Sequence, residues 1–179
     1  MDSFVGTIGS QRERRLMTYD AFLDDAFHAA CTHLERMNDE LSCLLEPHRT
    51  VAAICQAQGV IDNGGLRYFF ENDWPNNPPY SEFADAYERI GCIDAAVAIR
   101  EASATFGVPD PERRINVRRD YIEQNYDSKT GEVDGWNDCI CGDDLVYSRL
   151  SGWLQSRYTR SDDYPMGSDE QSNAPQPSD

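Results

Sequence analysis

A chain of 179 residues with 40% hydrophobic side chains can bury one core of useful size and leaves no room for a second domain of ordinary length. Thirty-two acids against sixteen bases give a net charge of −16, which excludes a phosphate-binding or nucleic-acid-binding surface of the usual basic kind. No apolar run reaches the ~18 residues of a membrane helix, and "MDSFVGTIGSQRERRLM" lacks the order of a secretory signal, so the expected location is the cytoplasm.

From Thr18, Tyr19, Phe22, Leu23, Ala26, Phe27, Ala30, Leu34, Met37, Leu41, Leu44 and Leu45 step by three and four. That spacing predicts one long amphipathic helix with Thr18 as cap and Pro47 as stop. A second helix is expected from Thr50, with Val51, Ile54 and Cys55 inward, ending near Gly59. The stretch "GVIDNGGLRYFFENDW" follows. Gly64 and Gly65 mark a tight turn or a close approach, Asn63 reads as a cap, and Leu66, Phe69 and Phe70 recur at helical spacing. Such a helix start could hold an anion, but Asp62, Glu71 and Asp73 surround it and repel one, so the expectation is a structural corner that plants its aromatics in the core.

The prolines of "NDWPNNPPY" predict a loop up to Ser81, which caps a helix carrying Phe83, Tyr87 and Ile90 and closed by Gly91. Asp94 is expected to cap the next, which buries Val97, Ala98 and Phe106 and ends at Gly107. Asp110 and Pro111 open another, with Ile115, Tyr121 and Ile122 as a thin stripe. Between Tyr126 and Gly142 the pattern fails, and it returns from Asp143 to about Tyr158 with Val146, Leu150, Trp153 and Leu154. The expected fold is all-α, a compact single-domain bundle of six or seven helices. Its parts are a flexible segment over 1–16, one domain over 17–159 and a disordered acidic tail over 160–179, where residues 161–179 hold five acids, three prolines and no base.

Excess acid is not confined to the tail, because residues 16–109 carry fifteen acids and five bases. On the first helix Asp20, Asp24, Asp25, Glu35, Asp39 and Glu40 fall opposite the apolar stripe; later, Glu82, Asp85, Glu88 and Glu101 avoid the apolar faces. Carboxylates on stiff helices can imitate the charge array of a duplex, although an acidic helix face is also the ordinary form of a solvated one. The basic runs "RERR" and "RRINVRR" are expected to offset neighbouring acids or to seat an acidic dimer partner.

Other chemistry finds little support. His28, Cys31, His33 and Glu35 cluster on the first helix, but Cys31 lies between the faces and no paired CxxC spacing supports a four-ligand site, and Cys139 and Cys141 are too close for a tetrahedral pair. "DSKTGEVDGWND" places Lys129 and Gly131 where a calcium loop needs oxygen ligands. The six cysteines are expected as free thiols, no nucleophile elbow or phosphate loop appears, and the reading is a protein without cofactor or metal that is not an enzyme.

"IDNGGLRYFFENDW" followed by "FADAYERIGCIDAAVAIREASATFG" resembles the C-terminal-like domain of the DNA-mimic protein nineteen family over roughly residues 50–107. Asn63, Gly64, Gly65, Phe69, Phe70, Ala86, Ile90, Gly91, Ala95 and Phe106 match; Asp62 replaces the first asparagine of the motif and Leu66 its aromatic. The resemblance implies a bacterial, dimer-forming acidic protein that imitates duplex DNA and occupies the DNA-binding surface of a partner such as a transcription regulator. The charge alone also allows an immunity or antitoxin-like inhibitor of a basic nuclease or toxin, or a plain acidic interaction scaffold.

Overall fold

The computed structural model describes the backbone of residues 10–126, 131–140 and 144–158, and the side chains of 21–126, 135–140 and 145–158. Within these residues the chain is all-α, with seven helices: α1 (Ser10–Arg36), α2 (His48–Glu71), α3 (Tyr80–Arg89), α4 (Ile93–Ala104), α5 (Ile115–Asn125), α6 (Gly131–Asp138) and α7 (Asp144–Gln155). Single 3-10 turns stand before α2 (Leu41–Cys43) and α5 (Pro111–Arg113). The residues expected as a disordered tail, and Cys141, lie outside the described residues.

Helix α2 is the centre. It packs against α1, α3, α5 and α6, while α4 lies along α3 and α7 reaches α1. The apolar positions picked out by spacing fill this core: Ala26, Ala30, Leu34, Val51, Ile54, Leu66, Phe69, Phe70, Phe83, Tyr87, Ile122, Val146, Leu150 and Leu154 are all buried. Phe69 is its hub, with ring centroids 5.0 to 5.5 Å from Phe70, Trp74, Tyr80 and Phe83. Met37, Leu45 and Val97 depart from expectation and are exposed: the first two lie beyond the end of α1, and α4 buries Ala95, Ala98, Ile99 and Ala102 instead of Val97.

The long first helix does not continue to Pro47. α1 begins at Ser10, ahead of the expected cap Thr18, and stops at Arg36 in a left-handed turn at Asn38 (φ 53°) and Asp39 (φ 60°). The Asn38 amide donates to the Glu35 carbonyl (3.1 Å) and the Asp39 amide to that of Leu34 (2.9 Å), a Schellman closure made with asparagine where glycine is usual. Leu41 and Leu44 still reach the core, from the 3-10 turn. Apolar spacing alone therefore bridged a true helix end. The same closure recurs after α3, where Gly91 (φ 85°) follows the helix and the Cys92 amide donates to the Tyr87 carbonyl at 2.9 Å.

Other boundaries move too: α2 starts at His48 rather than Thr50, and Asp110 and Pro111 open only the 3-10 turn, with α5 starting at Ile115. α3 starts at Tyr80 behind Pro79, and α4 starts at Ile93 behind Cys92; Ser81 and Asp94 lie inside the first turns and neither helix has a side-chain cap. α6 occupies the stretch where no pattern was legible.

Candidate partner-binding surface

The glycine corner is a kink inside α2 rather than a turn between two helices. α2 stays helical on both sides of Gly64 (φ −164°, ψ 20°) and Gly65 (φ 69°, ψ −168°), and the second pair of angles is open essentially to glycine alone. Asn63 does not cap the second half: its amide donates back to the Gly59 carbonyl at 2.6 Å. The acceptor for the Leu66 amide is the side-chain oxygen of Asn137 in α6, at 2.9 Å. A Cβ on Gly65 would stand 2.8 Å from that oxygen, so the close approach demands glycine. At Gly64 the Tyr68 ring fills the space a Cβ would take.

Two polar nodes hold the kinked helix, one in its middle ahead of the bend and the other at its C-terminal end. Gln58, fully buried, donates to Asp62 (2.6 Å) and to the Ile140 carbonyl (2.9 Å), and accepts from the Tyr87 hydroxyl (2.8 Å). At the C-terminal end Arg118, 1% exposed, donates to the carbonyls of Phe70 (3.0 Å), Asn72 (3.3 Å), Pro111 (2.9 Å) and Glu112. The arginine run thus contributes one guanidinium to the interior, where it satisfies carbonyls that the end of α2 and the 3-10 turn leave open.

The acids expected to face a partner do not form one set. Asp24, Asp25 and Glu35 are exposed on α1, and among the described residues none of them enters an ion pair. Asp20 lies on the same helix, but its side chain is outside the described residues. Asp39 and Glu40 are not on α1 at all, because the left-handed turn carries Asp39 away and Glu40 starts the 3-10 turn, accepting from the Ser42 hydroxyl at 2.7 Å.

On α3 the carboxylates are partly answered within the chain. One guanidinium, Arg100 of α4, bridges Asp85 (2.6 Å) and Glu88 (2.5 Å). Burial raises the Glu82 carboxyl above the usual range, Arg49 opposes this, and Glu40 and Asp85 add to it, so these three acids form one group. Glu46 accepts from Arg49 (3.2 Å) and Thr50 (2.6 Å) and forms an ion pair with Arg89 (3.1 Å). Glu101 stands apart and accepts from the Trp136 indole at 3.1 Å. Sequence spacing could have suggested the Arg49–Glu46 pair; the Arg100 bridge and Asn137 join residues from separate helices and leave no local signal.

No three histidine, cysteine, aspartate or glutamate side chains converge as metal ligands among the described residues. His28 turns to its own Asp24 carbonyl (2.8 Å), while His33 stacks on His48 with centroids 4.2 Å apart. None of the five described cysteines forms a disulfide among the described residues. No helix among the described residues is long and apolar enough to cross a membrane.

An all-α protein built on a glycine-kinked central helix, with carboxylates on its outer helices, is the class this geometry defines. The family model of the DMP19-like protein matches residues 42–157, and the chain belongs to that family. The match takes in α2 through α7, including the kink, and leaves α1 outside. No curated protein and no solved structure matches the chain.

Proposed function

We propose that this protein is a DNA mimic that occupies the cationic DNA-binding surface of a partner, such as a transcription regulator, and blocks its access to DNA. The observation that carries the reading is the set Asp24, Asp25 and Glu35: carboxylates exposed on one stiff helix, without ion pairs among the described residues, in a family member of net charge −16. A helix holds its charges at fixed spacing, so a cationic groove gains their attraction without ordering a loose chain. Asp85 and Glu88 contribute less in this scheme, because Arg100 already screens both.

The test immobilises the full chain, passes over it a lysate of the cells that make it at low ionic strength, and elutes in separate arms with salt and with duplex DNA. Proteins that bind nucleic acid should be retained and released by duplex as well as by salt. The combined change Asp24→Asn, Asp25→Asn and Glu35→Gln should lower the association rate of the retained partner about tenfold at low salt and leave the fold intact. Retention only of proteins that duplex DNA does not displace would overturn the reading.

A further inference from the structure

Two apolar side chains of α4 stand in water: Ile93 is 52% exposed and Val97 41%. Arg100 follows three residues after Val97, so at about 3.6 residues per turn Ile93, Val97 and Arg100 share one outward stripe. A helical side chain leans over the turn N-terminal to its own Cα, which carries the Arg100 stem back toward Val97. Its guanidinium reaches two exposed carboxylates of α3, Asp85 at 2.6 Å and Glu88 at 2.5 Å. α3 and α4 are joined through Gly91 and pack along each other, so one face of the helix pair presents an apolar stripe edged by two carboxylates. Spacing by four is the mark of a stripe that is normally buried, yet this one is left open.

We infer that this face is a docking site for a basic amphipathic helix of a partner protein, whose apolar residues cover Ile93 and Val97 and whose cationic side chain replaces Arg100 between Asp85 and Glu88. Charge selects the occupant: a chain of net charge −16 repels a second copy of itself or an acidic helix and draws a basic one. Apolar contact selects a helix over a loose basic chain, because two side chains one turn apart match a partner stripe of the same spacing. The exchange of cations is easy, since exposed ion pairs are weak, and the covered apolar surface supplies the attraction that exposed charges do not. Asp24, Asp25 and Glu35 of α1 take no part, so this inference and the reading built on those acids can each fail while the other stands.

The test uses the full chain and two synthetic peptides of identical composition. One, of about 18 residues, forms a helix with leucine at i, i+4 and i+7 between arginines; the other is scrambled to break the leucine stripe. The patterned peptide should bind about tenfold more tightly than the scrambled one and should shift the amide resonances of residues 82–89 and 93–101. Ile93→Ser combined with Val97→Ser should abolish that preference without changing the binding of the scrambled peptide, and thermal melting should show the fold intact. Arg100→Gln should tighten the patterned peptide about threefold, more than Arg119→Gln, which makes the same change of charge on α5. Equal binding of the two peptides would reduce the attraction to net charge and overturn the inference. So would shifts confined to other helices, or shifts that grow with chain concentration in the absence of peptide, which would assign the stripe to a second copy.

Discussion

The carboxamide oxygen of Asn137 in α6 accepts the amide hydrogen of Leu66 in α2, 71 positions away, at 2.9 Å. A residue of one helix thus caps the second half of another, at the point where the backbone bends. Replacing Asn137 with Ala should cost about 1–2 kcal/mol in chemical denaturation, the worth of a lost cap, and should speed hydrogen exchange at Leu66. Gly65→Ala should cost about 2–4 kcal/mol, since it adds a strained positive φ to the clash with Asn137. Equal stability of Gly65→Ala and wild type would show that the bend does not depend on that approach.

Gly64 and Tyr68 form a second matched pair, because the tyrosine ring lies where a Cβ at 64 would go. Gly64→Ala alone should destabilise the fold, and Gly64→Ala with Tyr68→Ala should recover part of the loss. A double-mutant cycle is expected to give a coupling of about 0.5–3 kcal/mol; strictly additive effects would contradict the packing.

Arg118 should be among the least replaceable residues. Arg118→Met leaves at least four carbonyls without their donor and is expected to cost about 3–5 kcal/mol. Arg118→Lys should rescue little, since one ammonium cannot serve carbonyls reached by three separate nitrogens. Thermal melting of the two variants, compared with Arg119→Met at the exposed neighbour, checks the claim.

Burial raises the Glu82 carboxyl above its ordinary value, so the folded chain holds that proton more tightly than the unfolded one. The sign follows: the ionised form weighs against the fold above the raised value, and the penalty fades as pH falls through it. Glu82→Gln is expected to gain a few tenths of a kcal/mol at pH 7, with the gap from wild type closing on acidification. A gap that stays constant between pH 7 and about pH 4 would refute the assignment.

Thiol labelling offers a check on the core. Cys43 and Cys139 are exposed and should react first with a maleimide at pH 8. Cys55, pushed up to about 12 by burial, and buried Cys92 should react only on unfolding. Mass spectrometry of partly labelled protein reads the order directly.

Much of the fold was legible because the core obeys helical spacing and because Gly91 and Gly107 end helices in the left-handed region. The aromatic pair Phe69 and Phe70 declared its burial in the same way. What stayed hidden has common physical causes. The end of α1 lacks glycine or proline, and Leu41 and Leu44 continue the apolar rhythm beyond it, so periodicity ran through Asn38. α6 is short and polar, and its hold on the fold comes from Asn137, Ile140 and Trp136 meeting α2 and α4, which are distant in sequence. Charge was equally deceptive. A line of sequence shows Asp85, Glu88 and Arg118 as surface ions, whereas two share a counterion across a helix pair and the third lies inside.

The bend in α2 has a wider reach than its two residues. α1 and α3 both lean on this helix, so a few degrees of change at a single joint would swing the acidic helices relative to each other. Related chains could therefore retune the spacing of their charged ridges, and with it the shape of target they suit, by altering a hinge while leaving every carboxylate where it is.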